Sequence, residues 1–171
     1  IKMVLLFGTA GIPLSTEPKD TLNGIRQVKS LGLGAMELEF VRSVNISQKK
    51  APLVKKAASD NNVALTCHGQ YFINLNSQEK MKIKASINRI LNAARIAWQC
   101  GATSLTFHAA YYMKQDPTKV YTTVKKHLQE IIDVLKQENN KILIRPETTG
   151  KETQFGDLDE LINLSQELEQ V

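Results

Sequence analysis

Two of the three histidines, His68 and His108, each close a short apolar run: Val63-Ala-Leu-Thr-Cys-His68 and Ser104-Leu-Thr-Phe-His108. A third run, Ile142-Leu-Ile-Arg-Pro-Glu147, closes on a carboxylate. Imidazole and carboxylate together are ligands of zinc and similar divalent ions. A lone histidine in such a run is more often a core residue whose nitrogens are satisfied by neighbours. Two at equivalent ends, with Glu147 at a third, point to a shared metal. The remaining histidine, His127, stands beside Lys125 and Lys126 on a charged helical face and is expected at the surface.

The runs that carry these ligands belong to a repeat. Strand-like segments fall near residues 2–7, 35–40, 63–68, 103–108 and 141–147, with helical patterns between them. Helices are expected over roughly 49–62 and 77–100. A further one follows Asp116-Pro117, an N-cap with proline in the first turn, and carries Val120, Val124, Leu128, Ile131 and Leu135 as one apolar stripe. The last is expected near 157–169. Strand alternating with helix five times implies an α/β chain with a parallel sheet and helical crossovers.

An open doubly wound sheet and a closed barrel both fit that alternation, and the strand faces separate them. In the third run Ala64, Thr66 and His68 share one face and Val63, Leu65 and Cys67 the other. Ser104, Thr106 and His108 likewise oppose Leu105 and Phe107. Leu143, Arg145 and Glu147 oppose Ile142 and Ile144, and Glu37 and Glu39 oppose Met36, Leu38 and Phe40. A central strand of an open parallel sheet is apolar on both faces, so one polar face favours the interior of a (β/α)8 TIM barrel. The expectation is one partial barrel domain over 1–171, covering about five of eight β/α units. The chain starts without Met and stops at or just beyond a helix, so about three more units are expected after Val171.

Arg145 inside such a barrel needs a partner, because an unpaired buried charge is costly; an ion pair with Glu39 is expected, which leaves Glu147 for the metal. Thr148-Thr-Gly-Lys151 fails the phosphate-loop pattern, with Arg145 where a glycine is required and Glu152 where Ser or Thr is. Gly8-Thr-Ala-Gly11 is no better as a dinucleotide fingerprint, so no nucleotide cofactor is expected. Cys67 and Cys100 have no paired spacing and read as reduced thiols of a cytoplasmic protein. No apolar run of membrane-spanning length occurs. The formal charge is +5, which permits a nucleic-acid partner without selecting one. Tyr71-Phe72 and Tyr111-Tyr112 follow the two histidines in expected loops; such pairs form small satellite cores or stack on nucleic acid.

Together these segments resemble endonuclease IV, the zinc-dependent apurinic/apyrimidinic endonuclease family, over nearly the whole chain. His68-Gly-Gln-Tyr-Phe-Ile-Asn-Leu75 resembles the family's His-x-x-Tyr-Leu-Ile-Asn-Leu signature; Thr106-Phe-His108 and Glu147-Thr-Thr-Gly-Lys151 resemble its next two ligand segments. The resemblance implies hydrolysis of the phosphodiester 5′ to abasic sites in double-stranded DNA by a monomer with three zinc ions. His68 and His108 would bind one zinc, and Glu147 would bridge two and serve catalysis. Tyr71 and Phe72 would enter the groove at the lesion, with Arg42 as a further DNA contact, although Asn45 competes for that place. The family's remaining ligands belong to the units beyond residue 171, so residues 1–171 alone are expected to bind metal weakly and to show little activity.

Two other functions remain in play. One is a divalent-metal sugar isomerase or epimerase of the xylose-isomerase-like superfamily, with a pocket closed over a small polyol. The other is a truncated barrel that binds nucleic acid without cutting it. The net charge and Tyr71-Phe72 on an outer loop favour DNA.

Overall fold

A computed structural model describes residues 5–171. The elements follow in the order β1 (Gly8–Ala10), α1 (Thr21–Ser30), β2 (Ala35–Glu39), α2 (Ala51–Asn61), β3 (Ala64–His68), α3 (Lys80–Gln99), β4 (Ser104–Phe107), α4 (Pro117–Gln137), β5 (Leu143–Pro146) and α5 (Leu158–Glu167). Of the first strand expected over 2–7, residues 1–4 lie outside the described residues and 5–7 form no strand. Pairing there begins at Gly8, against Ala35.

All five strands are parallel and lie in the order β1-β2-β3-β4-β5. That order discriminates between the two architectures. A doubly wound sheet reverses direction at a switch point, whereas here each crossover advances one strand the same way, as in a barrel wall. The helices pack in the same succession, α1 on α2, α2 on α3 and α3 on α4.

Alternation along the strands sorts the side chains as expected. Met36, Leu38, Leu65, Cys67, Leu105, Phe107 and Ile144 are buried toward the helices, with Val124, Leu128, Ile131 and Leu135 of α4 among their partners in one core. The opposite face holds Glu37, Glu39, Thr66, His68 and Thr106 half-buried, and Arg145 exposed. Both cysteines are free and buried, and burial raises both thiols, Cys100 to about 12.

Local chemistry sets the helix ends. Asp20, Asp116 and Asp157 cap α1, α4 and α5, each accepting from a backbone N–H in the first turn. At α5 Glu160 completes a capping box by accepting from the Asp157 N–H. No helix of the described residues is long and apolar enough to cross a membrane.

Gly156, in the loop between β5 and α5, has φ +128°, and a Cβ there would lie 2.6 Å from the Glu147 carbonyl oxygen. Gly156→Ala is therefore expected to destabilise the protein by about 1–3 kcal/mol, the cost of strain at such a position, read as a lowered urea midpoint. Arg95 of α3 holds Glu138 at the end of α4 through two hydrogen bonds, and this keeps the Glu138 carboxyl below the usual range. A depressed folded value means that the pair stabilises above the unfolded value, near pH 4, and that this stabilisation is lost as pH falls through the folded value. Both side chains are more than a third exposed, so Glu138→Gln should cost only about 0.5 kcal/mol at pH 7. The cost should shrink as pH falls below about 4 in paired unfolding curves.

Candidate metal centre at the strand ends

Parallel pairing brings three strand ends near one another: His68 is level with Thr106 and Arg145, and His108 and Glu147 stand two residues further along on the same face. His68 is the last residue of β3, His108 follows β4 and Glu147 follows β5. The ladder continues past the strands themselves: Gly69 N–H donates to Thr106 O at 2.7 Å and Glu147 N–H to Phe107 O at 2.9 Å. Pro146, which has no N–H to give, therefore does not end the pairing; the residue after it resumes it.

The side chains converge. His68 Nε2 lies 3.1 Å and His108 Nε2 3.5 Å from the same Glu147 oxygen, Oε2. Donors bound to one tetrahedral zinc at about 2.0–2.2 Å stand roughly 3.3–3.5 Å apart; the His108 contact has that length, and the His68 contact is shorter, at hydrogen-bond distance. The His68 ring is also oriented. Its Nδ1 lies 2.8 Å from the Gly69 carbonyl oxygen, which can only accept, so Nδ1 carries the hydrogen. In the neutral ring Nε2 then presents a lone pair to a carboxylate oxygen, and a cation between them removes that repulsion. Histidine ligands of metals are commonly oriented in this way. His108 Nδ1 is buried without a hydrogen-bond partner. These features fit a divalent metal in donor type and orientation. The third edge is not drawn in: the two imidazole rings are 6.2 Å apart between centroids, and among the described residues no three such side chains form a ready metal cage.

Glu37, inward on β2, belongs to the same surroundings, and sequence reasoning did not assign it to the site. Burial and then the neighbouring Glu39 carboxylate hold Glu37 above the usual carboxylate range, with the His68 and Glu147 charges also acting on it. The only signal in the sequence is the Glu37/Glu39 alternation on the polar face. Beside them, a cavity of about 220 Å³ opens between the ends of β1 and β2 and is lined by Lys19, Glu37, Glu39 and Asn45.

The ion pair expected between Arg145 and Glu39 is not formed. Among the described residues Arg145 has no acidic partner; its register partner is Thr106. β3 and β4 separate β5 from β2, which sets the two strands about 14 Å apart. His127 is more enclosed than expected, bonded to Glu130 at 2.9 Å.

Tyr71 and Phe72 are 58% and 62% exposed. The Tyr71 ring meets the His68 ring edge-on, 5.9 Å between centroids. Exposed Arg42 is in the adjoining loop, where its carbonyl accepts from Gln70 Nε2. Tyr112 instead turns inward, donating to Glu160 and packing against Phe155.

The family model for a xylose isomerase-like TIM barrel matches residues 25–171. An uncharacterized protein of Methanocaldococcus jannaschii is 41% identical over 167 residues, 98% of this chain but 59% of that protein. The chain thus spans about three-fifths of the length of the curated relative it matches. Among solved structures, a D-tagatose 3-epimerase-like protein superposes with a TM-score of 0.72 at 14% identity, covering 96% of this chain and 61% of the other. Endonuclease IV from Thermus thermophilus superposes with 0.69 at 16% identity, covering 92% and 57%. At such identities the likeness is one of fold alone. The single-direction strand order, the polar inner face and the match over 25–171 lead to one conclusion: this chain belongs to the xylose isomerase-like TIM barrel family, of whose barrel it forms five β/α units.

Proposed function

We propose that the whole protein is a zinc-dependent endonuclease that hydrolyses the phosphodiester 5′ to abasic sites in double-stranded DNA, acting as a cytoplasmic monomer. The observation that supports this reading most directly is the approach of two imidazoles to one carboxylate oxygen, His68 and His108 to Glu147. A nitrogen-rich donor set suits zinc, whereas manganese and magnesium sites are built mainly from carboxylates and water.

Each residue has a role in this reading. His68 and His108 hold zinc, and the Gly69 carbonyl keeps the His68 ring turned toward it. Glu147, half-exposed at the strand end, is the carboxylate that meets the metal and faces the reacting phosphate. Zinc, when bound, supplies positive charge to the phosphoryl oxygens. Tyr71 and Phe72 present apolar faces next to the ligands, where a base or an abasic gap can be stacked or filled. Arg42 approaches the backbone from the neighbouring loop. The complete set of three zincs needs ligands from outside residues 1–171.

A second reading, a divalent-metal sugar isomerase or epimerase, draws on the cavity beside β1 and β2. Glu37 and Glu39 line it with carboxylate oxygens suited to sugar hydroxyls, and Glu37 is held toward its protonated form.

The whole protein incubated with an abasic-site duplex is expected to nick it 5′ to the lesion and to lose that activity with a chelator. Epimerisation of a ketohexose without nicking would favour the sugar enzyme, and binding without nicking would favour the non-catalytic barrel. His68→Ala should lower bound zinc by elemental analysis; unchanged zinc would remove His68 as a ligand. Tyr71→Ala should weaken binding to the abasic duplex by about 1–3 kcal/mol in a titration with metal present.

A further inference from the structure

The loop that carries Tyr71 and Phe72 is held from three sides. Tyr71 N–H donates to Val41 O in the loop after β2, and Leu75 N–H to Ala109 O in the loop after β4. From α3, Ser86 Oγ accepts from Asn74 N–H and Arg89 Nη1 donates to the Phe72 carbonyl, both at 3.0 Å. Two large apolar side chains are thus exposed on a backbone that is itself fixed, so a ligand meeting them has little loop ordering to overcome.

Between this loop and the first half of α3 is a groove of about 320 Å³, lined by Tyr71, Phe72, Asn74, Lys82, Arg89 and Tyr111 among others, with no carboxylate in its wall. Lys82, Ser86 and Arg89 are spaced i, i+4, i+7, so one helix face turns both cations toward it. Arg89 has five N–H donors, and the bond to Phe72 takes up Nη1 alone. Among the described residues Lys82 pairs with Glu79 alone, at the surface, a contact weak enough to exchange. Cations on a wall free of carboxylate are the chemistry that receives the phosphate backbone of a nucleic acid.

We propose that this groove is a backbone-binding subsite that carries one strand of duplex DNA away from the His68–His108–Glu147 cluster, with Lys82 and Arg89 on its phosphates. The subsite rests on the nuclease reading, and its test separates the two. Binding of the whole protein to labelled abasic and undamaged duplexes is measured from 50 to 200 mM salt for wild type, Lys82→Ala, Arg89→Ala and Lys84→Ala. Lys84 is on the same helix outside the groove.

Lys82→Ala and Arg89→Ala should each weaken both duplexes alike and reduce the salt slope by about 0.9, so that the deficit narrows roughly 3-fold across that range. Lys84→Ala should match wild type. A wild-type slope in Lys82→Ala, whose exposed side chain holds no loop, overturns the groove even if Arg89→Ala is impaired. An equal loss in Lys84→Ala overturns it as well, by reducing the effect to general charge. A wild-type protein that binds neither duplex at 50 mM salt overturns the nuclease reading, and the groove with it.

Discussion

Parallel register between β3, β4 and β5 is the constraint on which the candidate site depends. His68 is opposite Thr106, and Thr106 opposite Arg145, so His108 and Glu147, each two residues further on, share the face of His68. A slip of one residue in any of these strands would turn His68, His108 or Glu147 to the helix-packed face. The extra bonds from Gly69 and Glu147 carry the ladder one step beyond the strands and fix the backbone under the side chains that converge.

The register is held from the other face. Apolar residues of the strands alternate with the site residues and are buried in one core with α2, α3 and α4, so the core defines which way each His and Glu points. The polar face of the described sheet holds Glu37, Glu39 and Arg145; among the described residues Arg145 has no acidic partner, because β3 and β4 stand between it and Glu39.

Position beyond the strands is set by loops that tie to one another. Gly156 folds the segment after β5 back against Glu147, and the Tyr71–Phe72 loop bonds to three neighbouring elements. These contacts make exposure at Tyr71 and Phe72 a property of a rigid tip. They also give α3, whose buried Ser86 anchors the loop, an outer edge next to the strand-end cluster.

Period-two and period-3.6 patterns, the capping Asp116 and the runs ending in His68, His108 and Glu147 made the α/β repeat and the polar inner face legible in the sequence, because each depends on residues near one another along the chain. The segment from His68 to Leu75 was specific enough to point to the family. Tertiary structure alone decided the strand order, which distinguishes a barrel wall from a doubly wound sheet. It also decided the start of β1 at Gly8, the 3.1 and 3.5 Å approaches to Glu147, the entry of Glu37 into the site and the absence of the Arg145–Glu39 pair. Those features join residues far apart along the chain, 79 positions for His68 and Glu147. Local patterning carries no information on which strands become neighbours or how many strands separate two charges.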